Sequence, residues 1–132
     1  MPIWGLVATS LGFLIPSILA FKNNKKRLGY ACSTLTTTST LFHSTRHPIF
    51  RKIDMTYVYC LVSYYITKSM WRLIHHKRAR DIYLHVGSLG CVYLYFSKCD
   101  NPYVSIKMQQ RFHMVFHMAA QYLFCIYATD KI

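Results

Sequence analysis

The run Ile3 to Phe21, IWGLVATSLGFLIPSILAF, carries no charge and ends against Lys22, Lys25, Lys26 and Arg27. A membrane-crossing helix needs about 20 apolar residues, with a range near 17 to 25. The run meets that length. Pro16 is its one interruption, and proline is tolerated inside membrane helices. The basic cluster follows the apolar run instead of preceding it, the reverse of a secretory signal peptide. The run therefore reads as a first spanning helix, and the rest of the chain is parsed outward from it.

Four more segments follow, over residues 28–43, 53–71, 82–96 and 110–128. The second holds Ser33, Thr34, Thr36, Thr37, Thr38, Ser39 and Thr40, so hydropathy alone would pass over it. Such residues belong on helix–helix interfaces in a bundle, and an interior position is expected. The third has Asp54 at its start and Lys68 and Trp71 at its far end, residues suited to a membrane interface. The fourth is short and contains His85, expected to hydrogen-bond inside the bundle. The fifth contains His113 and His117. The connections near 75–81 and 97–109 read as loops. His47, His75 and His76 read as solvated loop residues, and Cys99, Asp100 and Asn101 as a turn before Pro102.

Composition agrees with this parse. The 132 residues suffice for one small domain, taken as 1–132. Charged residues make up 15% and hydrophobic residues 53%, whereas a soluble domain is about 25% charged. An aromatic content of 16% excludes a disordered chain. The core of a soluble domain this small cannot absorb such long apolar runs. The expected fold is all-α: a polytopic transmembrane helix bundle of about five spans.

The net charge is +12, with no glutamate. The basic residues sit in short clusters between apolar runs, which points to orientation in a bilayer and contact with anionic lipid instead of nucleic acid. The first connection carries Lys22, Lys25, Lys26 and Arg27, and the third carries Arg72, Lys77, Arg78 and Arg80. The second and fourth carry Arg46, Arg51, Lys52 and Lys98, Lys107, Arg111. The bias places the N-terminus lumenal or external and the C-terminus in the cytoplasm. Five cysteines without a CxxC argue against a disulfide framework or a cysteine-ligated zinc site.

Ionisable groups inside a membrane bundle are costly, so each is a functional candidate. Segment two ends at His43, segment three starts at Asp54, and segment five starts near His113. Alternating spans put these groups, with Ser39, at one depth. His113 and His117 are four residues apart and share a helix face. Ser39 and His43 share one too, so Ser39 is placed to orient a group near the His43 ring. Three histidines and a water make the open tetrahedral zinc site of a catalyst. A carboxylate beside it, and Asp54 is the acid at that depth, can serve as general base. Plainer readings stand beside these: histidines bonding across helices, Asp54 paired with Arg51 or Lys52, and Ser39 as helix-packing contact.

The stretch Ser39-Thr-Leu-Phe-His43-Ser-Thr-Arg-His-Pro-Ile-Phe-Arg-Lys-Ile-Asp54 resembles the S-x3-H-x10-D pattern of the CREST superfamily of membrane hydrolases. That superfamily includes alkaline ceramidases, GPI-anchor remodelling lipases, and the adiponectin/progestin receptors with haemolysin III. His113-Met-Val-Phe-His117 is similar to their last-helix H-x3-H. The resemblance implies Zn2+ held by His43, His113 and His117, with Asp54 at the zinc water and Ser39 stabilising the oxyanion. The ten-residue gap is similar to that of the ceramidase and GPI-remodelling branches. Phe42-His43-Ser-Thr-Arg looks closest to the FHTRD of the GPI-remodelling lipases, whose following Asp is His47 here. Met55 stands where ceramidases usually carry an acid. The family normally has seven spans, against five here.

The expected function is a zinc-dependent intramembrane hydrolase cleaving a lipid amide or ester, ceramide-like or acylated, in an endoplasmic reticulum or Golgi-type membrane. One alternative is a receptor or scaffold that keeps the fold and metal site. Another is a haem protein with two histidine ligands.

Overall fold

A computed structural model describes residues 3–99 and 101–130. Among them every regular element is helical: α1 Trp4–Leu11, α2 Leu14–Lys22, α3 Lys26–Thr45, α4 Pro48–His76, α5 Ala79–Leu94 and α6 Ile106–Thr129. A π-helical turn, Tyr95–Cys99, extends α5. Of the turn expected at Cys99, Asp100 and Asn101, Cys99 ends the π turn and Asp100 falls outside the described residues. Trp4–Lys22, taken together, is one rod long and apolar enough to cross a membrane.

That rod is broken once, and proline sets the place. Pro16 has no N–H to give the carbonyl of Gly12, and its ring crowds that carbonyl. The chain answers with tighter three-residue bonds: Phe13 N donates to Ser10 O at 3.1 Å, and Ile15 N to Gly12 O at 3.1 Å. Pro16 itself sits in the first turn of α2, where no helical donor is needed. A side chain at Gly12 would collide with Gln121, whose amide donates to the carbonyl of Thr9. The break thus lets α6 approach closely and satisfies a carbonyl that it loosens.

The Ser/Thr-rich segment forms α3, which buries one face and leaves Tyr30, Thr34, Thr37 and Leu41 exposed on the other, where an interior helix was expected. Leu28, Cys32, Leu35, Ser39 and Phe42 follow one another at three- and four-residue steps along its buried stripe. The helix packs on α1, α2, α4 and α6. Ser17 Oγ donates to Gly29 O at 2.9 Å and lies 2.6 Å from Ser33 Oγ, holding α2 against α3.

Two connections are shorter than their polarity suggested. α4 runs through Arg72 to His76, so only Lys77 and Arg78 join it to α5. His75 and His76 are exposed but helical, and His47 caps α4, its Nδ1 accepting from Ile49 N at 3.2 Å. Pro48, at the first helical position, reinforces that start. The last connection also shrinks, since the π turn reaches Cys99 and α6 begins at Ile106. Polar, basic sequence masked helical turns that protrude beyond the apolar runs.

The rods close into a ring. The α1–α2 rod packs on α3 and α6, α3 on α4, α4 on α5, and α5 on α6. At the end holding residues 22–26, 76–79 and 129–130, Ala20, Leu28, Cys32, Tyr65, Leu84, Leu123 and Tyr127 fill the middle. Toward the other end the ring stays open inside. Ile3 N closes that end by donating to His43 O at 3.1 Å.

Candidate metal centre

α3 brings in His43, and α6 brings in His113 and His117 on successive turns. The three rings meet directly. Their centroids are 5.0 Å apart for His43–His113, 5.4 Å for His43–His117 and 4.6 Å for His113–His117. One nitrogen from each lies within 4.8 Å of the others. His43 is 0% exposed and His117 3%.

Both ring nitrogens of His43 are buried with no hydrogen-bond partner. Buried polar atoms are almost always bonded, so this orphaned imidazole asks for a ligand. A tetrahedral zinc with bonds of about 2.0–2.1 Å would join three such nitrogens after a modest closing of the rings. The donor set therefore fits Zn2+, and equally another imidazole-loving ion. Rings in edge contact leave no slot for a flat macrocycle, which removes the bis-histidine haem arrangement.

The tautomer of His117 is set by α1. Thr9 Oγ1 donates back to the carbonyls of Gly5 and Leu6 at 3.1 and 3.2 Å. With its one hydrogen given to those carbonyls, it is an acceptor for His117 Nδ1, 2.9 Å away. Nε2 is left with its lone pair for a metal, the usual outer-shell arrangement. Thr9 carried no signal in the sequence, where it was one small residue in an apolar run.

Ser39 and Asp54 form a second group. Asp54 Oδ1 accepts from Ser39 Oγ at 2.8 Å and from Thr38 Oγ1 at 2.9 Å. Ser39 thus binds the carboxylate of Asp54 and not the His43 ring; the i, i+4 spacing put Ser39 and His43 on one face but could not say which group the hydroxyl meets. Among the described residues Asp54 has no ion-pair partner, and Arg51 and Lys52 stay exposed. The interfacial-pair reading of Asp54 therefore finds no support. Asp54 also lies in the second turn of α4, since the helix begins at Pro48.

Ser39, Asp54, His113 and His117 line one cavity, walled otherwise by apolar side chains such as Val58, Leu61, Tyr65 and Phe116. The π turn aims Tyr95 into it, and Tyr95 Oη donates to Met55 Sδ at 2.9 Å. Such turns often mark functional sites, and nothing in the sequence announces one here. His85 lies elsewhere, its Nδ1 2.8 Å from Ser69 Oγ across α4 and α5, the intrabundle bond expected of it.

At the opposite end sits an ionic knot that the sequence did not reveal. Arg72 Nε meets Asp81 Oδ1 at 2.9 Å, and its Nη2 meets Asp130. Arg78 and Arg80 add bonds from outside, and Lys25 caps the carbonyls of Tyr127 and Asp130. Comparison with protein-family models, curated proteins and solved structures returns no match for this chain.

Proposed function

We propose that the chain is a polytopic membrane protein and a zinc-dependent hydrolase of a lipid amide or ester, related to the CREST superfamily through Ser39, His43, Asp54, His113 and His117. The observation that carries the reading is the His43 imidazole, buried with both nitrogens unpartnered and pressed against two further histidines.

The surface supports the membrane part. Trp4, Ile15, Ile18, Tyr30, Ile53, Tyr64, Val86, Tyr93 and Met118 are exposed, while Ser10, Ser17, Thr36, Ser39, His43, Asp54 and Ser88 are buried. Apolar outside and polar inside is the distribution that lipid rewards and water penalises. Each rod of the ring takes part, including those whose hydropathy is modest.

When bound at the three histidines, zinc supplies a Lewis acid that polarises an acyl carbonyl and acidifies water. The chain's own residues do the rest. Thr9 fixes the His117 tautomer. Thr38 and Ser39 both bond Oδ1 of Asp54, so Oδ2 is the oxygen left to take and return a proton. The apolar walls exclude water and suit an acyl chain. Ser39 reaches a substrate oxygen only if its hydroxyl turns away from Asp54.

The test is metal analysis of the purified protein together with fatty-acid release from mixed ceramide, phospholipid and acylated-lipid micelles. About one zinc per chain with release is expected. Zinc without release on any amide or ester would favour the receptor or scaffold reading, and absence of metal from protein purified without chelators would reject the centre.

A further inference from the structure

A second, polar cavity adjoins the first. Its walls include His43 and His113, Gln109 and Gln110, and the arginines Arg46 and Arg51. The two cavities share Met55, Tyr95 and His113, so they meet beside the histidines.

The arginines are held where they are by the turn between α3 and α4. Arg46 takes a left-handed conformation, φ 56°, and closes α3 by donating its N–H to Phe42 O at 2.7 Å. Its guanidinium lies 4.7 Å from the centre of the Phe42 ring. Arg51 follows in the first turn of α4. Burial, and then the charge of Arg51, hold the Arg46 guanidinium below its ordinary value, so the two cations feel one another.

No carboxylate among the described residues pairs with either arginine. Among the described residues every ion pair lies at the far end of the ring, on Asp81 and Asp130. Arg46, Arg51, Lys52, Lys98, Lys107 and Arg111 share the near end, where the one described carboxylate is the buried Asp54. Two neighbouring arginines with no ion-pair partner among the described residues, at the polar mouth of a cavity, present the forked donors that suit a phosphate group.

We propose that Arg46 and Arg51 bind a phosphate-class anion, and that the substrate is an acyl lipid with an anionic headgroup. The acyl chain lies in the apolar cavity, the phosphate at the arginines, and the bond between them beside the histidines. This rests on the lipid-hydrolase reading for the word substrate, but the anion site itself does not.

The experiment therefore measures binding on the protein in detergent after removal of metal, with zinc content and lipid hydrolysis read on a separate, untreated sample. The probes are short-chain phosphatidic acid, a diacylglycerol of the same chains, and inorganic phosphate. Phosphatidic acid should bind at least about tenfold more tightly than diacylglycerol, and the preference should shrink with salt. Arg46→Gln/Arg51→Gln should abolish that preference while leaving diacylglycerol binding alone, and Arg46→Lys, which keeps the charge beside Phe42, should retain part of it. Lys52→Gln serves as the control for general surface charge. Phosphatidic acid far ahead of inorganic phosphate identifies a lipid headgroup; equal affinity for the two identifies a free anion at the same site and removes the lipid from the proposal. Equal affinity for phosphatidic acid and diacylglycerol, or an unaffected double variant that keeps its helicity, would overturn the anion site. Absence of lipid hydrolysis by the untreated, zinc-containing protein, with anion binding intact, would instead count against the hydrolase reading.

Discussion

At the residue scale, the proposed centre separates into three candidate ligands, an anchor for one of them and a candidate base, and each should answer differently to substitution. His113→Ala or His117→Ala removes one of three ligands and should cost most of the zinc, read by metal analysis after dialysis. Thr9→Val keeps the shape of Thr9 but gives His117 Nδ1–H no acceptor. Loss of such an outer partner typically costs 10–100-fold in metal affinity, so chelator competition should show about that loss, and Thr9→Ser should restore most of it. Unchanged affinity in the valine variant would remove Thr9 from the centre. Asp54→Asn retains an oxygen for Ser39 and Thr38 but takes up no proton at neutral pH. It should keep zinc and helicity while lipid hydrolysis falls by about 10² to 10⁴. Near-wild-type release would reject Asp54 as the base.

At the element scale, the ionic knot ties α4, α5 and the end of α6. Arg72 is 5% exposed, Asp81 0% and Asp130 3%. Removing Arg72 leaves two buried carboxylates facing each other without their shared cation, a loss of about 3–5 kcal/mol where a buried pair is broken on one side. Burial alone would raise both carboxyls. Hydrogen bonds from Arg78 and Arg72 and the Arg72 charge overcome it at Asp81, and the Arg72 bond and charge do so at Asp130, so both sit below the ordinary carboxylate range. A carboxyl lowered on folding stabilises above its unfolded value, about 3.9, and loses that contribution as pH falls through the lower folded value. Thermal unfolding in detergent should therefore show a Tm gap between the parent and Arg72→Met that is constant from pH 7 to about 5 and closes below about pH 4. A gap that widened in acid would contradict the pairing.

This knot also marks where sequence reading stopped. Asp130 is distant in the chain from Arg72 and Asp81, and each of the three looked like an end or loop residue. Their meeting depends on the two-residue α4–α5 link and on the length of α6, which apolar runs do not report. By contrast, the placing of His43, His113 and His117 in one layer was legible, because alternating rods and four-residue spacing are local properties of the chain. The Ser39–Asp54 bond was legible only as a neighbourhood. The π turn at Tyr95 and the anchor at Thr9 had no local signature, since each is decided by what α6 packs against.

At the scale of the whole molecule, the closed ring separates two ends with different electrostatics. One end buries its acids against arginine; the other gathers cations around a cavity, with no ion pair among the described residues. Orientation follows from lysine and arginine counted without regard to pairing, because the rule concerns cations held back during insertion. By that count the knotted end, with Lys22, Lys25, Lys26, Arg27, Arg72, Lys77, Arg78 and Arg80, outweighs the end with Arg46, Arg51, Lys52, Lys98, Lys107 and Arg111. The knotted end should face the cytoplasm, and the histidine centre should open toward the lumen. Five crossings, as proposed, would put the two termini on opposite sides. An N-terminal acceptor tag should be glycosylated and a C-terminal one should not, and the protein should resist alkaline extraction from membranes. Glycosylation of the C-terminal tag alone would invert the molecule and place the centre in the cytoplasm, with its geometry untouched. Glycosylation of both tags would mean an even number of crossings. The ring could not then stand in the bilayer as five spans, and release by alkali would discard the membrane reading altogether.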